Sequence, residues 1–449
     1  MIEKNLRMVM MEKGDITKTL LKLGIPMVVS MLVMALYNVV DTYFVSNLGT
    51  QQSGAVSIAF PISLYFSGLG LTFGVGAASC ISRLLGAKKI KEANKVASVA
   101  FYTSAIIGAV LMAIFFVFAK QVLISMGATE TILPYALEYA HIFIISMFCT
   151  TINVSTGNLA IAQGEAQITL RAMIVGAVLN MILDPILING MNLGVRGAGI
   201  ATLISQIVTT IIFFQFFFGK KSYIRMRWSD FKPNTLIYKE IIKVGISMFL
   251  LQGLTGFSMS LISRNSSVYG DAAVSAMGIV LRIVTLGTNA VFGFMKGYQP
   301  FVGYNYGAKN YKRALEITKK AIKWATLYCI LWMVVVLIFS KNIMVFMIED
   351  PEVIRIGTKA LKVNTMMFFT FGFQFTYATL YLSMGKAIAG GILNIGRQGL
   401  FLIPVILILP QVFGLDGVIY AQPVADIIAT IITIPLAIKA NKKLNSGYS

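Results

Sequence analysis

Twelve apolar runs, each long enough to cross a lipid bilayer as a helix, constrain this chain more than any other feature. A bilayer core of about 30 Å is spanned by roughly 20 apolar helical residues, and none of the runs alternates polar and apolar residues as a barrel strand would. Only 12% of the 449 residues are charged, against about 25% in soluble domains. We therefore predict an all-α integral membrane protein with twelve transmembrane helices. The predicted spans are 20–46, 53–80, 96–119, 132–157, 168–190, 195–219, 241–267, 274–300, 321–340, 353–381, 388–411 and 415–438.

The basic residues indicate how these helices are oriented. The chain has 38 lysines and arginines against 18 acidic residues, a net charge of +20. With the N-terminus in the cytoplasm, 30 of the basic residues, Arg397 among them, fall on the cytoplasmic side, seven fall outside, and Arg282 lies within a span. Cytoplasmic loops are enriched in Lys and Arg. We thus expect a multi-pass protein of the cytoplasmic membrane with both termini inside, and no nucleic-acid partner.

The two halves of the chain are related by an internal repeat. A shift of 221 residues aligns Lys22–Ala93 with Lys243–Ala314, and 16 of the 72 pairs are identical. Because each repeat has six spans, both begin on the same side and form parallel repeats about an axis along the membrane normal. We predict two six-helix bundles with pseudo-two-fold symmetry around a central cavity, namely lobes 1–219 and 236–449 joined by a cytoplasmic linker, 220–235. One chain enclosing its own cavity favours a monomeric carrier over a channel.

Ionisable residues inside the N-terminal spans are the strongest functional candidates. Such a residue costs about 2.5–3.5 kcal/mol on insertion scales and is a functional candidate by default. Asp41 shares a helix face with Tyr37, and Asp184 shares one with Asn180, because residues four apart are neighbours on a helix. Thr202 in the sixth span lies at a similar depth. We expect these five side chains to meet.

Two chemical roles and one structural role are open for this group. Asp41, Asn180, Asp184 and Thr202 offer oxygen ligands for Na⁺, and the two carboxylates could instead share one proton. The alternative is a polar network that only ties the first, fifth and sixth spans together. In the C-terminal half, Arg282 and Asp426 could form an ion pair, which we interpret as structural.

Several motifs are missing from the sequence. It contains no G-x-x-x-x-G-K-[ST] loop, so we do not expect ATP or another cofactor to supply the driving force. It contains neither H-E-x-x-H nor G-x-S-x-G, so we expect a protein that is not an enzyme.

Five short motifs, together with the twelve spans and the duplication, carry a family resemblance. They are Tyr37-Asn38-x-x-Asp41, Asn180-x-x-x-Asp184-Pro185, Gly194-x-x-Gly197-Ala198, Gly86-Ala87-Lys88 and Gly307-Ala308-Lys309. Along nearly its full length the chain resembles the MATE (multidrug and toxic compound extrusion) family. The resemblance implies two six-helix lobes and ion-driven export of amphipathic, often cationic, compounds.

Within that family, the chain is most similar to the branch whose ion site lies in the N-terminal lobe. The resemblance places the site at Asp41, Asn180, Asp184 and Thr202, with Tyr37 and Tyr139 nearby. It also implies an asparagine late in the fourth span, for which Asn153 and Asn158 are the candidates. Another branch uses acids in spans 7 and 10, but ranges 241–269 and 353–384 contain none.

We predict a secondary antiporter that exports amphipathic, often cationic, drugs or toxins in exchange for inward H⁺ or Na⁺ by rocking alternating access. We expect ion binding at Asp41 and Asp184 to bend or repack the first span. The alternative is a flippase for a lipid-linked saccharide or other amphipathic lipid. A pyrophosphate would require a strongly cationic cavity, for which the C-terminal half offers Arg282 and Lys296.

Overall fold

The computed structural model describes residues 2–46, 48–219 and 221–446, and within these ranges the fold is all-helical, with no strand. Eleven helices are long and apolar enough to cross a membrane. They coincide with eleven of the twelve predicted spans, which confirms the all-α membrane fold. The first eight helices are α1 (Ile2–Lys13), α2 (Ile16–Ser46), α3 (Thr50–Gly86), α4 (Ile90–Val117), α5 (Ala119–Ser125), α6 (Leu133–Ala162), α7 (Ala166–Pro185) and α8 (Gly194–Phe218).

The second half repeats this order after a short 3₁₀ turn at Trp228–Asp230. Its helices are α9 (Thr235–Ser267), α10 (Asp271–Gly307), α11 (Tyr311–Met347), α12 (Pro351–Met366), α13 (Phe369–Ser383), α14 (Ala387–Ile395), α15 (Leu402–Phe413) and α16 (Leu415–Ser446). Two π-helical turns interrupt the fold, one at Ile186–Gly190 after α7 and one at Gly396–Leu400 between α14 and α15. Each unit therefore carries a π-helical turn in its fifth span.

The tenth predicted span, 353–381, is divided between two helices rather than forming one. α12 ends at Met366 and α13 begins at Phe369. The break falls in an apolar run that contains neither Gly nor Pro at the junction. Apolar periodicity alone therefore gave no signal for it.

The described chain forms two compact units whose boundaries lie within helices. The first unit consists of 1–10 and 29–249, and the second of 11–28 and 250–449. The boundaries thus fall inside α1, α2 and α9 rather than in the loop between the halves. The lobe limits expected from the sequence remain a prediction about the repeat.

Glycine allows close backbone contact next to the π-helical turn of the first unit. A Cβ on Gly197 of α8 would lie 2.7 Å from the carbonyl carbon of Leu187. The repeat-related Gly417 of α16 stands in the same relation to the backbone of Leu409. Small residues let membrane helices pack backbone to backbone. This packing fixes α8 against the end of the fifth span, where Asp184 lies.

The ends of α3 and α10 show the repeat at the level of backbone conformation. Lys88 and Lys309 follow Gly-Ala in equivalent positions, and both adopt positive φ, at 59° and 58°. Left-handed backbone is uncommon for a residue with a Cβ. Its recurrence at matched positions means that the turn geometry, as well as the sequence, is duplicated.

Candidate functional site

The predicted acidic residues meet in the first unit. Asp184 is the penultimate residue of α7, followed by Pro185 and the π-helical turn, and its side chain is 0% exposed. Proline lacks an amide hydrogen, so the helix loses one backbone hydrogen bond here. The carboxylate is thus held rigidly inside the bundle beside an irregular stretch of helix.

Asn180 links Asp184 to α8. With its nitrogen facing the carboxylate, the amide donates to Asp184 Oδ2 at 2.8 Å and its oxygen accepts the Thr202 backbone N–H at 3.2 Å. The opposite orientation would set the amide oxygen against the carboxylate, so the hydrogen-bond network selects this one. The predicted pairing of Asn180, Asp184 and Thr202 is therefore present in the geometry.

Side chains from α2 and α6 complete the group. The half-buried Asp41 lies close enough to Asp184 for their charges to interact. The Tyr37 hydroxyl lies within hydrogen-bonding reach of the Thr202 side chain. Tyr139 of α6 is buried, and electrostatic interactions place it near Asp41. Four helices thus converge on two carboxylates.

One oxygen in this group lacks a hydrogen-bond partner. Asp184 Oδ1 is buried, and among the described residues nothing donates to it. A buried oxygen of this kind is costly unless a donor or cation satisfies it. Within the described residues, no lysine or arginine forms an ion pair with Asp41 or Asp184. The group can therefore take up positive charge as a proton or as a cation bound through oxygen atoms.

The two asparagines considered from the fourth span lie elsewhere. Asn153 donates to the backbone and side-chain oxygens of Gln206 at 2.9 and 2.8 Å and accepts from Thr210 at 2.9 Å. Asn158 donates to the Val154 carbonyl at 2.8 Å within its own helix. The structure therefore places Asn153 in a bridge between α6 and α8 and brings neither asparagine to the two carboxylates.

The ion pair considered for the second unit forms with a different arginine. Arg397 Nε donates to Asp426 Oδ1 at 2.7 Å and Nη2 donates to Oδ2 at 3.3 Å, and both side chains are almost fully buried. The expected pairing of Asp426 with Arg282 is wrong, because Arg282 is exposed on α10. Placing Arg397 among the cytoplasmic basic residues is also wrong, since it is 3% exposed in the eleventh span.

One sequence signal could have pointed to Arg397. It lies well inside the predicted span 388–411, and it is the eleventh residue of the helical span Ala387–Phe413. Its removal from the cytoplasmic set leaves 29 of the 38 basic residues there, so the charge asymmetry keeps its direction.

These observations define a class: polytopic membrane proteins built from duplicated six-span units with an acid group in the first unit. Comparison with known proteins identifies the family. The MatE family profile matches residues 26–186 and 244–408. The chain belongs to the MatE family of membrane transporters.

Individual relatives agree in length as well as in fold. The chain is 29% identical over 416 residues to the multidrug export protein MepA of Staphylococcus aureus, covering 92% of each protein. A solved outward-facing multidrug resistance MATE transporter of the MOP superfamily is 26% identical, with a TM-score of 0.92 and 98% of both chains covered. A MOP superfamily transporter from Pyrococcus furiosus, described as having a binding pocket of reverse polarity that suggests a different function, is also 26% identical, with a TM-score of 0.90 and coverage of 97% and 98%.

Proposed function

We propose that this protein is a secondary antiporter that exports amphipathic, often cationic, compounds in exchange for inward H⁺ or Na⁺. One observation carries the proposal: the buried Asp184 Oδ1 lacks a donor beside a second carboxylate, Asp41. A proton or Na⁺ would satisfy that oxygen and relieve the repulsion between the two charges. The similarity to multidrug export proteins supports the export of drugs.

The donor set suits either ion. Hard cations bind carboxylate, amide and hydroxyl oxygens, and Asp41, Asp184 and Thr202 supply oxygens of two of these kinds. A proton needs only the carboxylates. Asn180, which donates to Asp184 through its nitrogen, would have to turn its amide to offer oxygen to Na⁺. The two ions therefore differ in whether the Asn180 amide must turn, and imposed gradients of each ion distinguish them.

Coupling requires that the ion stabilise one conformation more than another. α2 carries Asp41 and contains Pro26, which removes a backbone hydrogen bond and is a natural point for bending. We propose that ion binding draws the Asp41 segment of α2 towards α7 and α8. The compound would then bind less tightly in the outward-facing state, and the carrier would release it outside.

We propose further that the protein acts as a monomer in the cytoplasmic membrane with both termini in the cytoplasm. The charge asymmetry supports this orientation. Labelling of single cysteines placed in the 220–235 loop and in the 348–350 segment, from either side of intact cells, would test it. The first site is expected to react only from the cytoplasm and the second only from outside.

The experiment that tests the coupling measures export of ethidium from proteoliposomes under an imposed pH gradient, sodium gradient or neither. We expect the pH gradient to accelerate export at least tenfold, with Asp41→Asn as the uncoupled variant. Acceleration by sodium alone would assign Na⁺ as the coupling ion. No response to either gradient, with normal incorporation, would contradict the antiporter and favour flippase activity.

A further inference from the structure

The second unit contains a small cavity between its helices, with a largely apolar wall that also carries several polar side chains. Residues of α9, α10, the π-helical turn with the start of α15, and α16 line it. The polar lining residues are Ser258, Thr285, Thr288, Arg397, Gln398 and Gln422. The cavity is partly open rather than fully enclosed. Arg397 lies ten residues, or roughly 15 Å, into its span, so the cavity is near the middle of the membrane.

This cavity is the repeat counterpart of the acid group in the first unit. The shift of 221 residues relates Tyr37 to Ser258 and Asp41 to Ile262. A shift of 220 residues relates Thr202 to Gln422. Duplication has therefore produced two sites at equivalent places in the fold, with different side chains in each.

The Arg397 guanidinium has one nitrogen to spare. Its Nε and Nη2 face Asp426, and its plane lies over the Phe371 ring, 4.4 Å from the centroid. Within the described part of the chain, Nη1 has no hydrogen-bond partner although the residue is 97% buried. The edge of the guanidinium that carries Nε and Nη2 is occupied by Asp426. Nη1 is therefore the nitrogen that remains available to the cavity that Arg397 lines.

The charges around Arg397 define what the cavity can bind. Asp426 already neutralises the guanidinium, and Gln422 donates to Asp426 Oδ1 at 2.9 Å. A full anion would therefore add an uncompensated charge within the membrane, and a cation would meet the guanidinium directly. An uncharged oxygen acceptor satisfies the free N–H groups without either cost. Guanidinium is a donor with no acceptor capacity.

We propose that this cavity is a substrate subsite in which Arg397 Nη1 donates to a carbonyl oxygen, such as that of an ester or amide, on the exported compound. The subsite rests on the proposed export function and deepens it. The transported class is narrowed to amphipathic cations that carry such an acceptor. Compounds lacking the acceptor are carried without this contact.

Two dyes test the proposal because they share one xanthylium cation and differ in one group. Tetramethylrhodamine methyl ester carries an ester carbonyl, and tetramethylrosamine lacks it. Export of each is measured from proteoliposomes under the same gradient. We expect Arg397→Lys to weaken the apparent affinity for the ester about tenfold and to leave that for the rosamine within twofold. Lysine can keep the ion pair with Asp426, but it lacks the planar fork that lets one nitrogen of arginine face Asp426 while another faces the cavity.

A second variant keeps the test valid if the Arg397→Lys protein fails to insert into the membrane. The double change Arg397→Met with Asp426→Leu removes both charges together and avoids leaving one buried and unpaired. The matched control is Lys359→Met with Asp416→Leu, since that pair is exposed on the same unit. We expect the first double variant to discriminate against the ester like the lysine variant and the control to behave as wild type.

The outcomes separate the subsite from the export function. Equal loss for both dyes, or loss for neither, would overturn the subsite, leaving Arg397 a structural residue or the cavity filled by water. If the wild type exports neither dye, the proposed function fails for these compounds. Dye binding to the protein in nanodiscs, followed by fluorescence anisotropy, then decides the subsite. A preference for the ester that Arg397→Lys abolishes supports it, and equal binding of the two dyes overturns it.

Discussion

The acid group of the first unit and the cavity of the second that Arg397 lines share matched positions in a duplicated fold but differ in charge. Asp41 and Asp184 have no basic partner among the described residues, whereas Asp426 is paired with Arg397 through two hydrogen bonds. An uncompensated acid in a membrane can respond to an ion, while a compensated one is already neutral as a pair. This difference supports the proposal that ion coupling belongs to the first repeat, and it is consistent with a different role for the second.

The scaffold around the two sites has diverged much less. In the first unit Asn153 donates to the Gln206 carbonyl at 2.9 Å, and in the second Gln374 donates to the Asp426 carbonyl at 2.9 Å. Thr210 and Thr430 complete the two bridges at matched positions. Hydrogen bonds that hold helices together have thus been kept, and the charges beside them have changed.

Removing the negative charge of Asp41 in the first unit is expected to have the largest effect. Asp41→Asn keeps the size of the side chain but abolishes its capacity to bind an ion, so we expect gradient-driven export to fall at least fiftyfold. The measurement is ethidium export from proteoliposomes at equal protein incorporation. Asp416→Asn, an exposed carboxylate of the other unit, is the control and is expected to retain full activity. Coupled export by Asp41→Asn would show that the ion binds elsewhere.

Splitting the pair of the second unit should damage the fold rather than the coupling. Arg397→Met leaves Asp426 buried without its partner, at a cost of about 3–5 kcal/mol. We expect a marked fall in the melting temperature of the purified protein in detergent. The double variant with Asp426→Leu is expected to recover most of that loss. A double variant no more stable than Arg397→Met would mean that the charges were not the cause.

Loss of the hydrogen bond between Asn180 and Asp184 is expected to have an intermediate effect on export. Asn180→Leu removes the donor to Asp184 Oδ2, worth about 1.5–3 kcal/mol for a charged acceptor. We expect the ion concentration that half-saturates export to change by about tenfold or more, with normal insertion. The measurement is the ion dependence of export in proteoliposomes. An unchanged ion dependence would place Asn180 outside the site.

The bridge between α6 and α8 should give the smallest effect. Asn153→Ala removes three hydrogen bonds, each with a net contribution of about 1 kcal/mol. We expect the melting temperature to fall by a few degrees and the ion dependence of export to remain that of the wild type. A changed ion dependence would bring Asn153 back into the site, as the family resemblance suggested.

Apolar run length and residue spacing predicted most of the fold and the acid group. Spans follow from local composition, and Asp41 with Tyr37 or Asp184 with Asn180 share a face because four residues make about one helical turn. Asp426 shows the limit of such reasoning. Its partner lies on another helix 29 residues away, and only packing decides between Arg282 and Arg397.

The division of α2 and α9 between the compact units has a consequence for synthesis. The first unit is complete only when residue 249 has left the ribosome, well beyond the loop that separates the repeats. The second unit includes residues 11–28, which are synthesised early. More than 220 further residues must be synthesised before the rest of that unit, from residue 250 onward, is available for packing. Cutting the gene in the 220–235 loop would give two fragments that each lack part of their own unit. Such fragments are expected to be stable only when produced together, as in split-protein complementation.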